Sequence, residues 1–276
     1  MKLRLGFIVF FLALLFTACT VERKMAMKFI KHKENKGAVL VVPPFALDMY
    51  NANKYNLDSL YIPENYPLDS VLFQHTKLLK QISDSLFVEN YINSFILNLS
   101  NVGFQVYLPD ELEAFENAQS PAYIFKFAQV ELSEEISQYD ISEEISEKSY
   151  SNSFEVYLVN LNSWFEFEAR DTTWQKVFYT ENAVADEVYS QVLIDETKKS
   201  PVLYYDIDSL YTEHIYQMAT DVGKVYAGYF TDYLMNKYIE KHFPPNLNPT
   251  LFFHYDAEFK MLFPFEEGFQ ELSVSK

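Results

Sequence analysis

The stretch GAVLVVPPF, residues 37–45, runs apolar without interruption until two prolines stop it. A strand with no polar side has no face to turn to water, so it reads as buried on both faces. It therefore needs strands beside it and cover above and below. The residues that follow supply candidates for both. In DSLFVENYINSFILNLSNVGF, Val88, Ile92, Phe95, Ile96, Leu99 and Val102 recur at intervals of three and four, and Gly103 sits where a helix C-terminal glycine belongs. Asp69 or Asp84 is placed to cap a helix. FQVYL then reads as a second strand, and Pro109-Asp110 opens a short helix. AYIFKFAQVEL (122–132) alternates, with Tyr123, Phe125 and Phe127 on one face. SFEVYLVNLNSWFEFEA and WQKVFYTE give two more strands across a tight turn at Arg170–Thr173.

From Asp208 to Phe243 the spacing predicts one long helix. Ile215, Met218, Val222, Tyr226, Phe230 and Tyr233 form its apolar stripe, and Pro244-Pro245 ends it. Ala219, Gly223 and Ala227 add a strip of small residues, expected to pack closely against the sheet. Residues 182–206 fit no single period. The expected fold class is α/β: a mixed sheet with helices packed on it, forming a single domain with a long C-terminal helix and an aromatic tail. The expected divisions are 1–18, 19–36, 37–243 and 244–276.

The first of these divisions carries its own signature. Lys2 and Arg4 precede LGFIVFFLALLF, followed by Thr17, Ala18 and Cys19, the only cysteine. That is the layout of a secretory signal, with an apolar core shorter than the roughly 20 residues of a bilayer span. Phe16–Cys19 resembles the lipobox of bacterial lipoproteins, which implies that Cys19 is acylated and becomes the mature N-terminus. Residues 19–36 are then expected as a basic tether, with six Lys/Arg against two Glu from Val21 to Lys36, either resting on lipid headgroups or simply solvated.

The whole chain carries a formal charge of −17, and loss of the signal removes two positive charges more. A body this acidic repels nucleic acid. The chemistry-bearing residues form no recognisable constellation. His32, His75, His214, His242 and His254 are scattered, with no metal-ligand spacing among them. No nucleophile elbow or phosphate loop occurs. Ser-Glu-Glu-Ile-Ser appears twice, from Ser133 and from Ser142, within seven acids and no base, but without the glycine a calcium loop turns on. That segment reads as a charged excursion joining two strands. No enzyme, metal or cofactor is expected.

Two stretches are candidates for recognition. Residues 46–68 form a Tyr/Asn/Asp-rich insertion whose Tyr50, Tyr55, Tyr61 and Tyr66 offer stacking surfaces for sugar rings or simply cover the edge of the core. The tail carries seven aromatics after Asn246, among them Phe259, Phe263 and Phe265. Its first half, through Tyr255, is expected to pack on its own domain and its second half to meet a partner.

The strand ending in Pro44-Phe45, the helix ending NVGFQVYL, the strand–turn–strand FEFEARDTTWQKVF with its tryptophan, and the closing helix together resemble a group of envelope lipoproteins. These are the N-terminal domain of TolB, the penicillin-binding-protein activator LpoB, the curli-secretion lipoprotein and auxiliary lipoproteins of ABC transport systems. The resemblance spans residues 37–243. It implies a non-catalytic adaptor or accessory subunit of an envelope assembly or transport complex. Such a protein is anchored through Cys19 in the outer membrane, faces the periplasm and docks on an envelope protein. A glycan-binding lipoprotein using residues 46–68 is the alternative.

Overall fold

A computed structural model describes residues 20–53, 67–119, 121–145, 148–170, 175–195 and 200–265. Strand β1 (Ala38–Val42) lies between two parallel neighbours, β3 (Gln105–Tyr107) and the start of β4 (Ala122–Ile145). Val39 and Val41 enter the main core, while Ala38 and Leu40 enter a smaller one on the opposite face, so β1 is buried on both sides. β5 (Lys148–Ala169) and β6 (Gln175–Ala185) continue the sheet antiparallel, giving the order β3-β1-β4-β5-β6. The short β2 (Asp48–Asn51) pairs parallel with β4 further along. The fold is thus α/β with a mixed sheet and helices packed on it.

Two helices form the main cover. α3 (Asp84–Val102) is capped by Ser83, whose hydroxyl accepts the Leu86 N–H, and ends on Gly103 at φ 109°, whose N–H closes the last turn on Leu99 and Ser100. α5 (Thr212–His242) buries all six residues of its expected stripe against the sheet and core. The small strip does not meet the sheet. Gly223 lies against α3, where a Cβ would stand 2.4 Å from the Tyr91 carbonyl oxygen, and Ser94 Oγ donates to the Thr220 carbonyl at 2.6 Å. Two helices of this bulk approach so closely only where one presents small residues. Two shorter helices add to these: α2 (Leu68–Gln74), beside β2, and, on the opposite sheet face, α4 (Leu112–Glu116), whose Phe115 is fully buried.

Several expectations need correction. Residues 20–36 are not a free tether. α1 (Val21–Lys31) turns Ala26 and Phe29 into the core and leaves Lys24, Lys28 and Lys31 outward; the Lys36 ammonium is buried and donates to the Ile30 carbonyl at 2.5 Å. The apolar residues sit at helical spacing, so the basic count hid an amphipathic helix. Nor is 131–145, the described part of the acidic segment, an excursion. β4 and β5 stay paired from Tyr123↔Ala169 out to Ile145↔Lys148, with a single register shift between Phe127 and Gln129. The described parts of the ambiguous stretch, 182–195 and 200–206, complete β6 and form β7 (Glu187–Asp195) and most of β8 (Ser200–Asp208), which pair antiparallel.

The body does not end at Phe243 either. β9 (Phe252–Asp256) and β10 (Met261–Phe265) make a hairpin that buries Phe253 and Leu262 against α1 and α5. Asn236 on α5 pairs with the Phe253 backbone as a strand would, accepting its N–H and donating to its carbonyl, both at 2.9 Å. Asp232, also buried, accepts the Tyr255 N–H at 2.8 Å and faces His254 Nδ1 at 2.5 Å.

Candidate functional site

Three surfaces are built by this arrangement. The first is an arm. β6 stops pairing at Leu158↔Ala185, so the outer parts of β4 and β5 leave the sheet as a two-stranded ribbon. From Ser137 to Ile145 it reaches roughly 30 Å at the usual rise per strand residue. The β7–β8 hairpin lies over it, with Tyr205 on Phe154 at 4.3 Å between ring centres, and Ile141, Phe154 and Val156 are buried. Asp186 pins the departure point. Its carboxylate accepts the Tyr157 N–H at 2.8 Å and the Leu210 N–H at 2.6 Å. The arm exposes Tyr139, Tyr189, Leu193, Tyr204 and Tyr205, and its strands carry many acids and, among the described residues, one base, Lys148.

The second is the open face of β4, β5 and β6. Register places Gln129, Trp164 and Tyr179 in one row and Glu131, Asn162 and Glu181 in the next. The Trp164 and Tyr179 rings are 4.9 Å apart, and the Tyr179 hydroxyl donates to Asn162 Oδ1 at 3.0 Å. Partial desolvation, then the nearby Glu181 and Glu131, hold the Tyr179 phenol above its ordinary range. Tyr50, about a third exposed, belongs to the same face through its pairing with Ser133.

The third is a cleft of about 230 Å³ where α5 leaves the edge of β6. Phe165, Phe167 and Phe230 form its floor, Phe178, Tyr229 and Tyr233 its walls, and no lining residue is charged. The Phe178 ring stacks on Phe167 at 4.6 Å. The hydroxyl of the buried Tyr226 already accepts from Thr180 and Asn182, and burial pushes its pKa up.

The sequence-based candidates scatter over these surfaces. Tyr50 lies at the open face. Phe259, in the turn between β9 and β10, and Phe263, on β10, are exposed on the tail hairpin, away from Tyr50. Phe265 closes β10 opposite Phe252. Cys19, Tyr55 and Tyr61 lie outside the described residues. Trp164 and Tyr179 escaped notice because their adjacency depends on the β5–β6 register, which no local pattern carries.

Glu134, from the first Ser-Glu-Glu-Ile-Ser, is structural. Its buried carboxylate accepts the N–H groups of Lys77, Leu78 and Leu79 at 2.5, 2.8 and 3.0 Å. Among the described residues no group of His, Cys, Asp and Glu is arranged to hold a metal ion, and no helix is long and apolar enough to cross a membrane. No protein-family model matches the chain, and no curated protein is significantly similar to it.

Proposed function

We propose that the chain is a non-catalytic, lipid-anchored adaptor of the bacterial envelope, an accessory subunit of an assembly or transport complex. On this reading it is attached through Cys19 to the outer membrane, faces the periplasm and docks on an envelope protein. The observation that supports the docking role is the arm. It spends a two-stranded ribbon and a second hairpin on carrying tyrosines and leucine outward, where they stabilise little of the body. Exposed aromatics are the composition of interface anchors. The acids around them select a basic partner surface.

The test is photo-crosslinking in cells from a photoreactive residue placed at Tyr189 or Tyr205, compared with one at Leu97 on α3. A product of defined mass from the arm alone supports the reading; equal labelling from Leu97 removes its basis. Cys19→Ala is expected to move the protein from the membrane fraction to the soluble periplasm. Retention in the pellet after a high-salt wash contradicts the anchor.

The open face supports the glycan-binding alternative, because Trp164, Tyr179 and Asn162 combine ring surfaces with a polar neighbour. A glycan array binding the protein but not Trp164→Ala would favour it.

A further inference from the structure

The sheet treats its two edges differently. β3 closes one side with three residues, next to α4. β6 closes the other with eleven, paired to β5 from Leu158↔Ala185 to Glu168↔Gln175 without a register shift. Among the described residues no strand pairs with its outer side. Natural edges are kept from pairing by brevity, proline, bulges or charge. β6 has no proline and no bulge, and only Lys176 and Glu181 are charged. Alternate residues of an edge strand turn their N–H and C=O groups outward.

Beside this edge runs the aromatic cleft. A ligand there finds no charge and a lining that is mostly aromatic ring, and the Tyr226 hydroxyl is already engaged by Thr180 and Asn182. The cleft rewards chiefly apolar groups, and the edge rewards a peptide backbone. One kind of ligand satisfies both, an extended strand whose every second side chain is apolar. Its remaining side chains fall on the other face, beside Tyr179 and Glu181, where a base pairs with Glu181. A second copy of this chain suits the edge poorly, because each copy carries a formal charge of −17.

We propose that β6 accepts an added strand from a partner protein, with alternating apolar and basic residues, the apolar ones seated in the cleft between β6 and α5. This rests on the reading of the chain as a docking adaptor but uses a surface separate from the arm, so the two tests fail independently.

The experiment titrates the full chain with a capped twelve-residue peptide of alternating leucine and lysine, followed by calorimetry and by hydrogen exchange. Binding at micromolar concentrations is expected, with exchange slowed at least tenfold in residues 175–185 and unchanged in α3. Two versions of the peptide are N-methylated on alternate residues. One should lose at least tenfold in affinity and the other little, because only one set of amides faces β6. Replacing lysine by glutamate should weaken binding at least tenfold, and the surface variant Glu181→Lys should narrow or reverse that preference.

Binding that leaves residues 175–185 unprotected overturns the proposal. So does equal tolerance of both N-methylated peptides. Protection of the same amides that rises with protein concentration alone would assign the edge to a second copy. Uptake of decanol without any peptide binding would make the cleft a hydrocarbon site. Either result also overturns it.

Discussion

Ser-Glu-Glu-Ile occurs twice on β4, from Ser133 and from Ser142, and the two copies meet opposite fates. In the first, Ser133 and Glu134 are buried, and three backbone N–H groups converge on the Glu134 carboxylate. In the second, Ser142 and Glu144 face water on the ribbon. The copies start nine residues apart, an odd number, so equivalent side chains point to opposite faces of the strand. Glu144, which does share a face with Glu134, has moved beyond the segment 77–79 that supplies the amide donors. What decides burial here is the chain passing over the strand, not the residues in it. The same contrast divides the molecule into a base, where α3 and α5 press on the sheet, and an arm that packs only on itself.

Where base and arm differ most is in their tolerance of added or lost atoms. Gly223→Ala puts a methyl against the Tyr91 carbonyl and is expected to cost about 3 kcal/mol, the upper part of the overpacking range, read as a lowered denaturation midpoint. Gly228→Ala on the same helix meets nothing within 4 Å and should stabilise by about 0.5–1 kcal/mol, the helix-interior penalty of glycine. If both shift the midpoint alike, α3 and α5 are not in the contact described.

Glu134→Gln should lose about 2 kcal/mol, as expected for hydrogen bonds to a charged group, while Glu144→Gln stays within about 0.5 kcal/mol. Equal effects would erase the distinction between the two copies. Phe154→Ala removes the ring beneath Tyr205. A buried Phe→Ala in a core costs about 3–5 kcal/mol, but the arm opens on its own, so the global midpoint should fall by about 1 kcal/mol or less. Faster amide exchange in β7 and β8, with none in α3, is the signature; a shift in both would join arm and base into one cooperative unit.

The smallest effect concerns the tail hairpin. The hydrogen bond to Asp232 is the main cause holding the His254 imidazole above its ordinary value, with burial opposing it. That stabilisation is fully present below the unfolded imidazole value, near 6.5, and is lost as pH rises through the higher folded value. His254 is about half exposed, so solvent screening keeps the contribution to about 0.5 kcal/mol. The protection factor of β9 amides, which is exchange corrected for its intrinsic base catalysis, should fall from pH 6 to pH 9 in the native protein and show no such step in His254→Gln.

The base was largely legible in the sequence, because period carries it. The doubly apolar β1 follows from an unbroken apolar run, the stripe of α5 from a spacing of three and four, and the end of α3 from Gly103. The arm was not. Beyond Ser137 one face of the ribbon meets water and the other meets β7–β8, so no sheet-wide alternation survives, and pairing is set by register. α1 was hidden by its own charge, since four bases masked Ala26 and Phe29. The open-face pair Trp164–Tyr179 and the donors to Glu134 come from residues far apart in the chain, which no window sees.

The docking of α1 also has a mechanical side. Arg23 donates to the Leu262 carbonyl at 3.4 Å, and Glu22 receives Thr250 N–H and hydroxyl at 3.4 and 3.5 Å. A pull applied at Thr20 therefore loads the β9–β10 hairpin before it loads the sheet. These clasps are long and half-buried, and the Asn236 clasp behind them is short and buried. Tension should release them in that order. The body has a weak link in series with a strong one, and in single-molecule extension from Thr20 the first rupture would free α1 at low force while the hairpin, still held by Asn236, and the sheet stay whole.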